Sequence, residues 1–256
     1  MAIPKEDPSN IKVNSRTRVF LGLALLMTLI AVGGFWHTYW WPMLTGEVNF
    51  HWLIHIHGAI FTLWMVLFIA QTAFVYKNRT DLHIWVGKRI GILWGALVIL
   101  VGLVLSFGVI SPAIGTEFET LADFINFFPI AFGDVITFSF LFGLGIFYRS
   151  KPETHKRLMI LSTVVLLFAP AERLMRFIPG LPAQITFALG LPFVPALLAI
   201  GHDRWRTNRI HPVYIWGTTL IALETVSTLY FFASPGWESL SEMLANKLRT
   251  LLLPLL

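Results

Sequence analysis

The sequence contains no cysteine and few charges. The missing cysteine excludes disulfides, thiolate metal sites, iron–sulfur clusters and thiol catalysis. Charged residues are 13% of the 256, against about 25% in an average soluble domain. There is no phosphate loop, no GxSxG elbow and no HExxH helix, so NTPase, serine-hydrolase and zincin chemistry have no support. The compact histidine boxes of membrane di-iron hydroxylases are absent as well. The last apolar run, 212–233, has no lysine, which removes the Schiff base of a rhodopsin-like photoreceptor. The first sixteen residues hold Pro4 and Pro8 and lack the apolar core and cleavage site of a signal peptide, so the N-terminus is expected to be retained.

Apolar residues are what the chain has in excess: 56% of it is hydrophobic. They fall into runs of bilayer length, which predicts an all-α polytopic membrane bundle. Seven spans are expected, at roughly 19–42, 51–76, 89–111, 128–148, 158–178, 183–201 and 212–233, each with about 20 apolar residues. Of nineteen Lys and Arg, all but Arg173, Arg176, Lys247 and Arg249 fall on one side of this arrangement. The positive-inside rule then puts the N-terminus inside and the C-terminus outside. The net charge of +5 therefore reads as membrane topology, and no nucleic-acid partner is expected. Three parts follow: a cytoplasmic segment 1–18, a transmembrane domain 19–233 and an external tail 234–256. The tail spaces Leu240, Met243, Leu244, Leu248, Leu251 and Leu252 as an amphipathic surface helix, with Ser239 and Glu242 as a capping box.

Helix ends and bends are also legible. Asp81 is expected to cap the third helix, and Pro152 and Pro212 to open the fifth and seventh. Pro170 should kink the fifth span, and Pro192 and Pro195 the sixth. Gly91 and Gly95 allow close packing of the third. Trp36, Trp40, Trp41 and Trp52 mark one membrane boundary, and Trp85 and Trp205 the other.

The polar residues sort by depth. His37, His51, His55 and His57 lie toward the outer face; His83, His155, His202 and His211 lie toward the inner one. His51 and His55, four apart, would share a helical face as two ligands of one metal do. His57 points elsewhere and suits contact with another helix. Asp134, Glu172 and Glu224 sit inside spans, where an ionisable group costs roughly 2.5–3.5 kcal/mol on insertion scales. Arg173 and Arg176 accompany Glu172 as ion-pair partners. Glu224, flanked by Thr225 and Ser227, has no local cation and reads as neutral or as the partner of a distant histidine. An outer-leaflet pocket of imidazoles and carboxylates would suit zinc, iron or copper.

Several blocks resemble an uncharacterised family of bacterial integral membrane proteins. They are HG at 57–58 with Gln71, DLHIWVGK at 81–88, PETHKRLMILST at 152–163 with Arg173, and HDRWRTNRIHPVYIWG at 202–217. The likeness runs from the second span to the seventh. It implies a multi-pass protein of the bacterial inner membrane. It also implies that His57, His83, Asp134, His155, Arg173, Asp203 and His211 belong to a shared pattern, with no established activity. His37, His51 and His55 lie outside that pattern. The family is more loosely similar to cytochrome b561, whose haem ligands lie within facing spans. Here His83, His155 and His211 stand at helix starts, so a metal ion ranks before haem b. The inner histidines would otherwise form a second site or a hydrogen-bonded lock between loops.

Three readings follow. In the first, a metalloprotein acts as an oxidoreductase or hydrolase on a lipid-soluble molecule. His51, His55 and a carboxylate would hold the metal, with His37 or His57 assisting, and Asp134, Glu172, Glu224 and Arg173 would supply that carboxylate and the reacting groups. In the second, a haem b electron carrier uses His57, His83, His155 or His211. In the third, the chain is not an enzyme but a proton-linked transporter or an assembly partner, with Asp134, Glu172 and Glu224 as relay groups. The lipid bilayer is the one partner common to all three.

Overall fold

The apolar runs are helical almost throughout in the computed structural model of the chain. It describes residues 8–108 and 121–232, and beyond them 234–236, 239, 240, 243, 246, 247 and 250. Among the described residues there is no strand. Helix α1 (Pro8–Phe35) runs through a π-helical turn, Trp36–Trp40, into α2 (Trp41–Thr45). Then come α3 (Trp52–Tyr76) and α4 (Thr80–Val86), which continues through a second π turn, Gly87–Gly91, into α5 (Ile92–Gly108). They are followed by α6 (Leu121–Phe147), α7 (Pro152–Val165), α8 (Phe168–Met175), α9 (Leu181–Gly190), α10 (Val194–Thr207) and α11 (Pro212–Phe232).

Four helical runs, Thr17–Thr45, Trp52–Tyr76, Thr80–Ser106 and Phe128–Phe147, are long and apolar enough to cross a membrane. The pair α7–α8, bent by 41°, meets the same standard only when its two helices are taken as one broken span, which gives four or five. The sixth and seventh expected spans are helical but do not meet that standard. A 3₁₀ turn, Leu191–Phe193, parts α9 from α10. Helix α11 mixes Thr218, Thr219, Glu224, Thr225 and Ser227 with its apolar residues.

Sequence chemistry explains the breaks. Proline has no N–H and crowds the carbonyl four residues back. Pro170 is set against Leu166, and residues 166–167 are where α7 gives way to α8. Pro192 and Pro195 flank the α9–α10 break in the same way. Pro152 and Pro212 each open a helix, where the missing N–H costs nothing. Pro129 lies inside α6, which begins seven residues before its expected start. Asp81 does not cap α4: it sits in the first turn and pairs with Arg79 at 3.1 Å. Ser239 of the expected capping box donates to the Pro235 carbonyl at 3.4 Å, while Glu242 and most of the amphipathic tail lie outside the described residues.

Helix α1 packs on α3, α8 and α10, while α6 packs on α5, α7 and α11. In a bilayer such contacts rest on van der Waals fit and hydrogen bonds, and small residues let backbones approach. Gly34 of α1 lies directly on the Pro170 backbone of α8. Gly95 of α5, one of the two glycines expected to pack closely, faces the Phe142 ring of α6. Trp94 donates to the Ile60 carbonyl at 2.9 Å and fastens α5 to α3. Asn78, in left-handed backbone at φ 56°, turns the chain back between α3 and α4. That turn sets His83 beside Gln71, twelve residues earlier.

Candidate functional site

The bundle has two polar regions. The first is at the α3–α4 turn and the start of α7. His155 donates from Nδ1 to the Gly145 carbonyl of α6 at 2.7 Å, which leaves its Nε2 as an acceptor. His83 Nδ1 lies 3.3 Å from the Gln71 carbonyl, and its ring meets His155 edge-on with centroids 6.2 Å apart. The Gln71 amide is best satisfied with its nitrogen toward His83. It then donates to the His83 carbonyl at 3.0 Å and to Nδ1 at 2.6 Å, while its oxygen accepts from Gly87 N–H at 3.2 Å. In that arrangement Nδ1 of His83 accepts and the proton sits on Nε2. The two imidazoles therefore carry complementary tautomers, one with a proton on Nε2 and one with a lone pair there. Gly87 opens the second π turn, a distortion found often at functional sites.

Next to this pair lies a buried ion pair that sequence spacing does not announce. Arg157 of α7 donates to Asp203 of α10 from Nε at 2.7 Å and from Nη2 at 2.5 Å. Both side chains are almost fully enclosed, at 4% and 7% exposure. Nη1 of Arg157 also reaches the Glu153 carboxylate at 2.8 Å and the Glu153 carbonyl. The guanidinium lies 5.5 Å from the centroid of the Tyr214 ring, which is wholly buried. His211 accepts from Val213 N–H at 3.2 Å and so caps α11. Burial, then the Arg157 guanidinium, pushes His211 below its ordinary range, and the neutral ring suits an acceptor.

The second region is between α6 and α11. Glu224 Oε1 rests against Gly133, the residue before Asp134, and accepts from Thr228 at 2.9 Å. Glu224 Oε1 thus lies on the face of α6 next to the residue that precedes Asp134. Asp134 is 13 residues from the Phe147 end of α6, about 20 Å. Glu224 is 12 residues from the Pro212 start of α11, about 18 Å. The two carboxyls thus share one depth, well inside the helices. Among the described residues neither has a basic partner.

The other expected site residues are dispersed. His37 packs on Phe177 at 5.0 Å between centroids. His51 is the N-cap of α3, and its Nδ1 accepts from Leu53 N–H at 3.3 Å. His55 meets the Tyr39 hydroxyl at 3.1 Å. His57 stacks on Phe61 at 4.3 Å, with Nδ1 enclosed and unpartnered among the described residues. Glu172 pairs with Arg176 at 3.4 Å and Arg173 at 3.6 Å. Arg173 also covers the Phe35 ring and bonds the Ala169 carbonyl. Among the described residues no three of His, Asp and Glu gather as metal ligands would. The four outer histidines therefore do not form a common centre, and neither do His57 and His211 with the His83–His155 pair.

The apolar helices define a multi-pass membrane protein in contact with lipid. Comparison with known protein families, with curated proteins and with solved structures finds no match.

Proposed function

We propose that this is a seven-helix protein of the bacterial inner membrane, N-terminus inside and C-terminus outside, that couples its work to proton movement. The base distribution and the seven helical stretches support the topology. The observation that carries the function is Glu224 of α11 seated beside Gly133, next in sequence to Asp134, with both carboxyls at one depth. Two carboxylates on neighbouring helices in an apolar setting repel, and a proton taken up by one of them removes the repulsion. Such a pair takes up and releases one proton without moving the helices that carry it. The broken helices α7–α8 and α9–α10 supply elements able to shift around it, as discontinuous helices do in transporters. Toward the basic end, the titratable rings of His83 and His155 stand 6.2 Å apart and are suited to receive a proton near the surface. On this reading the chain is a proton-linked transporter.

The specific observation favouring a second reading is the His155 Nδ1–H bond to Gly145, which leaves Nε2 oriented as a ligand nitrogen is in metal centres. A metal ion or haem iron between His83 and His155 would use it. Reconstitution into vesicles with a pH-sensitive dye inside separates the two. An imposed pH gradient is expected to dissipate through the wild type, and Glu224→Gln to slow this by roughly a hundredfold, the scale of a lost proton-transfer group. An unchanged rate in Glu224→Gln would overturn the proposal. A stoichiometric metal or Soret band lost in His155→Ala would move the reading to the second.

A further inference from the structure

We infer that the cleft between α1 and α10 holds an anionic phospholipid, one acyl chain lying in the cleft and its phosphate at the basic end. The cleft has a volume of about 490 Å³ and an almost wholly apolar lining, including Gly22 and Leu26 of α1 and Leu197 and Gly201 of α10. Gly22 and Gly201 face open space, so the cleft exists because both positions lack a side chain. Only one end is polar. There stand His202 and Trp205, the indole 82% exposed as at a membrane boundary. From Leu197 to Trp205 is eight residues, about 12 Å along the helix, a span suited to the upper part of an acyl chain.

Charge selects the headgroup. Arg206, exposed and four residues beyond His202 on α10, stands on the same face of the helix as that ring. Asp203, the nearby acid, is engaged by Arg157. Lys156 lies over Phe20 at 4.9 Å, and Phe20 is edge-on to His202 at 6.1 Å. Lys156 also pairs with Glu153 at 2.8 Å, so of Lys156, Arg157 and Arg206 it is Arg206 that engages no acid among the described residues. An apolar trough with a single cationic end matches an amphiphile bearing one negative group. A partner helix would need an apolar face along its whole length.

Native mass spectrometry on the purified full chain tests this, with phosphatidylglycerol and phosphatidylethanolamine of matched chains added in competition. Phosphatidylglycerol is expected to bind preferentially. Arg206→Gln, at an exposed position that does not threaten the fold, should cut that preference roughly fivefold. Gly201→Leu, which fills the trough, should reduce retention of both lipids. Equal binding of the two lipids by the wild type would overturn the inference, as would full lipid retention by Gly201→Leu. A chain dimer in place of bound lipid would do the same.

Discussion

Asp203→Ala is expected to destabilise the protein by about 3–5 kcal/mol, the cost of leaving one member of a buried ion pair unpaired. The size follows from enclosure. Arg157 and Asp203 are nearly inaccessible, and the pair joins α7 to α10 across 46 residues of chain. Glu153, two-thirds exposed, cannot take over, because solvent screens it. Replacing both partners by apolar residues, Arg157→Met with Asp203→Leu, should recover most of the loss, since no charge is then stranded. Thermal unfolding of the two single variants and the double variant in one detergent gives the coupling directly. Additive losses would show that the pair does not act as a unit.

Gly34→Leu should cost about 3 kcal/mol or more. A Cβ at Gly34 would overlap the Cα, Cβ and carbonyl oxygen of Pro170. These are backbone or ring atoms with no rotamer to change, so α1 and α8 must separate. Gly143→Ala is the internal control. It lies in α6 facing open space, and its effect should stay within about 0.5 kcal/mol. Melting temperatures of the two variants decide the matter, and equal shifts would contradict the packing of α1 on α8.

Much of the architecture was legible because apolar runs and prolines act locally. The Pro170 and Pro192–Pro195 breaks follow from chemistry within one turn of each residue. The site was less legible, for identifiable reasons. His51 and His55 are four apart, yet His51 has extended backbone at ψ 144° and caps the helix from outside it. The helical face rule does not reach a residue that is not yet in the helix. Its ring is used on Leu53 N–H, and His55 turns to Tyr39, which spacing within α3 could not reveal. The Arg157–Asp203 pair depends on how α7 meets α10, and Arg157 reads in sequence as one more loop base. Asp134 and Glu224 were visible as deep carboxylates. That Glu224 lies beside Gly133, next to Asp134, required the packing of α11 on α6.

The central claim is that the Asp134–Glu224 pair carries a proton inside the bundle. Infrared difference spectroscopy on the reconstituted protein tests it without knowledge of any substrate. The account predicts a protonated-carboxyl carbonyl band at neutral pH that shifts in heavy water and is lost or displaced in Glu224→Gln and Asp134→Asn. A spectrum with only ionised carboxylate bands, unchanged by either substitution, would contradict it.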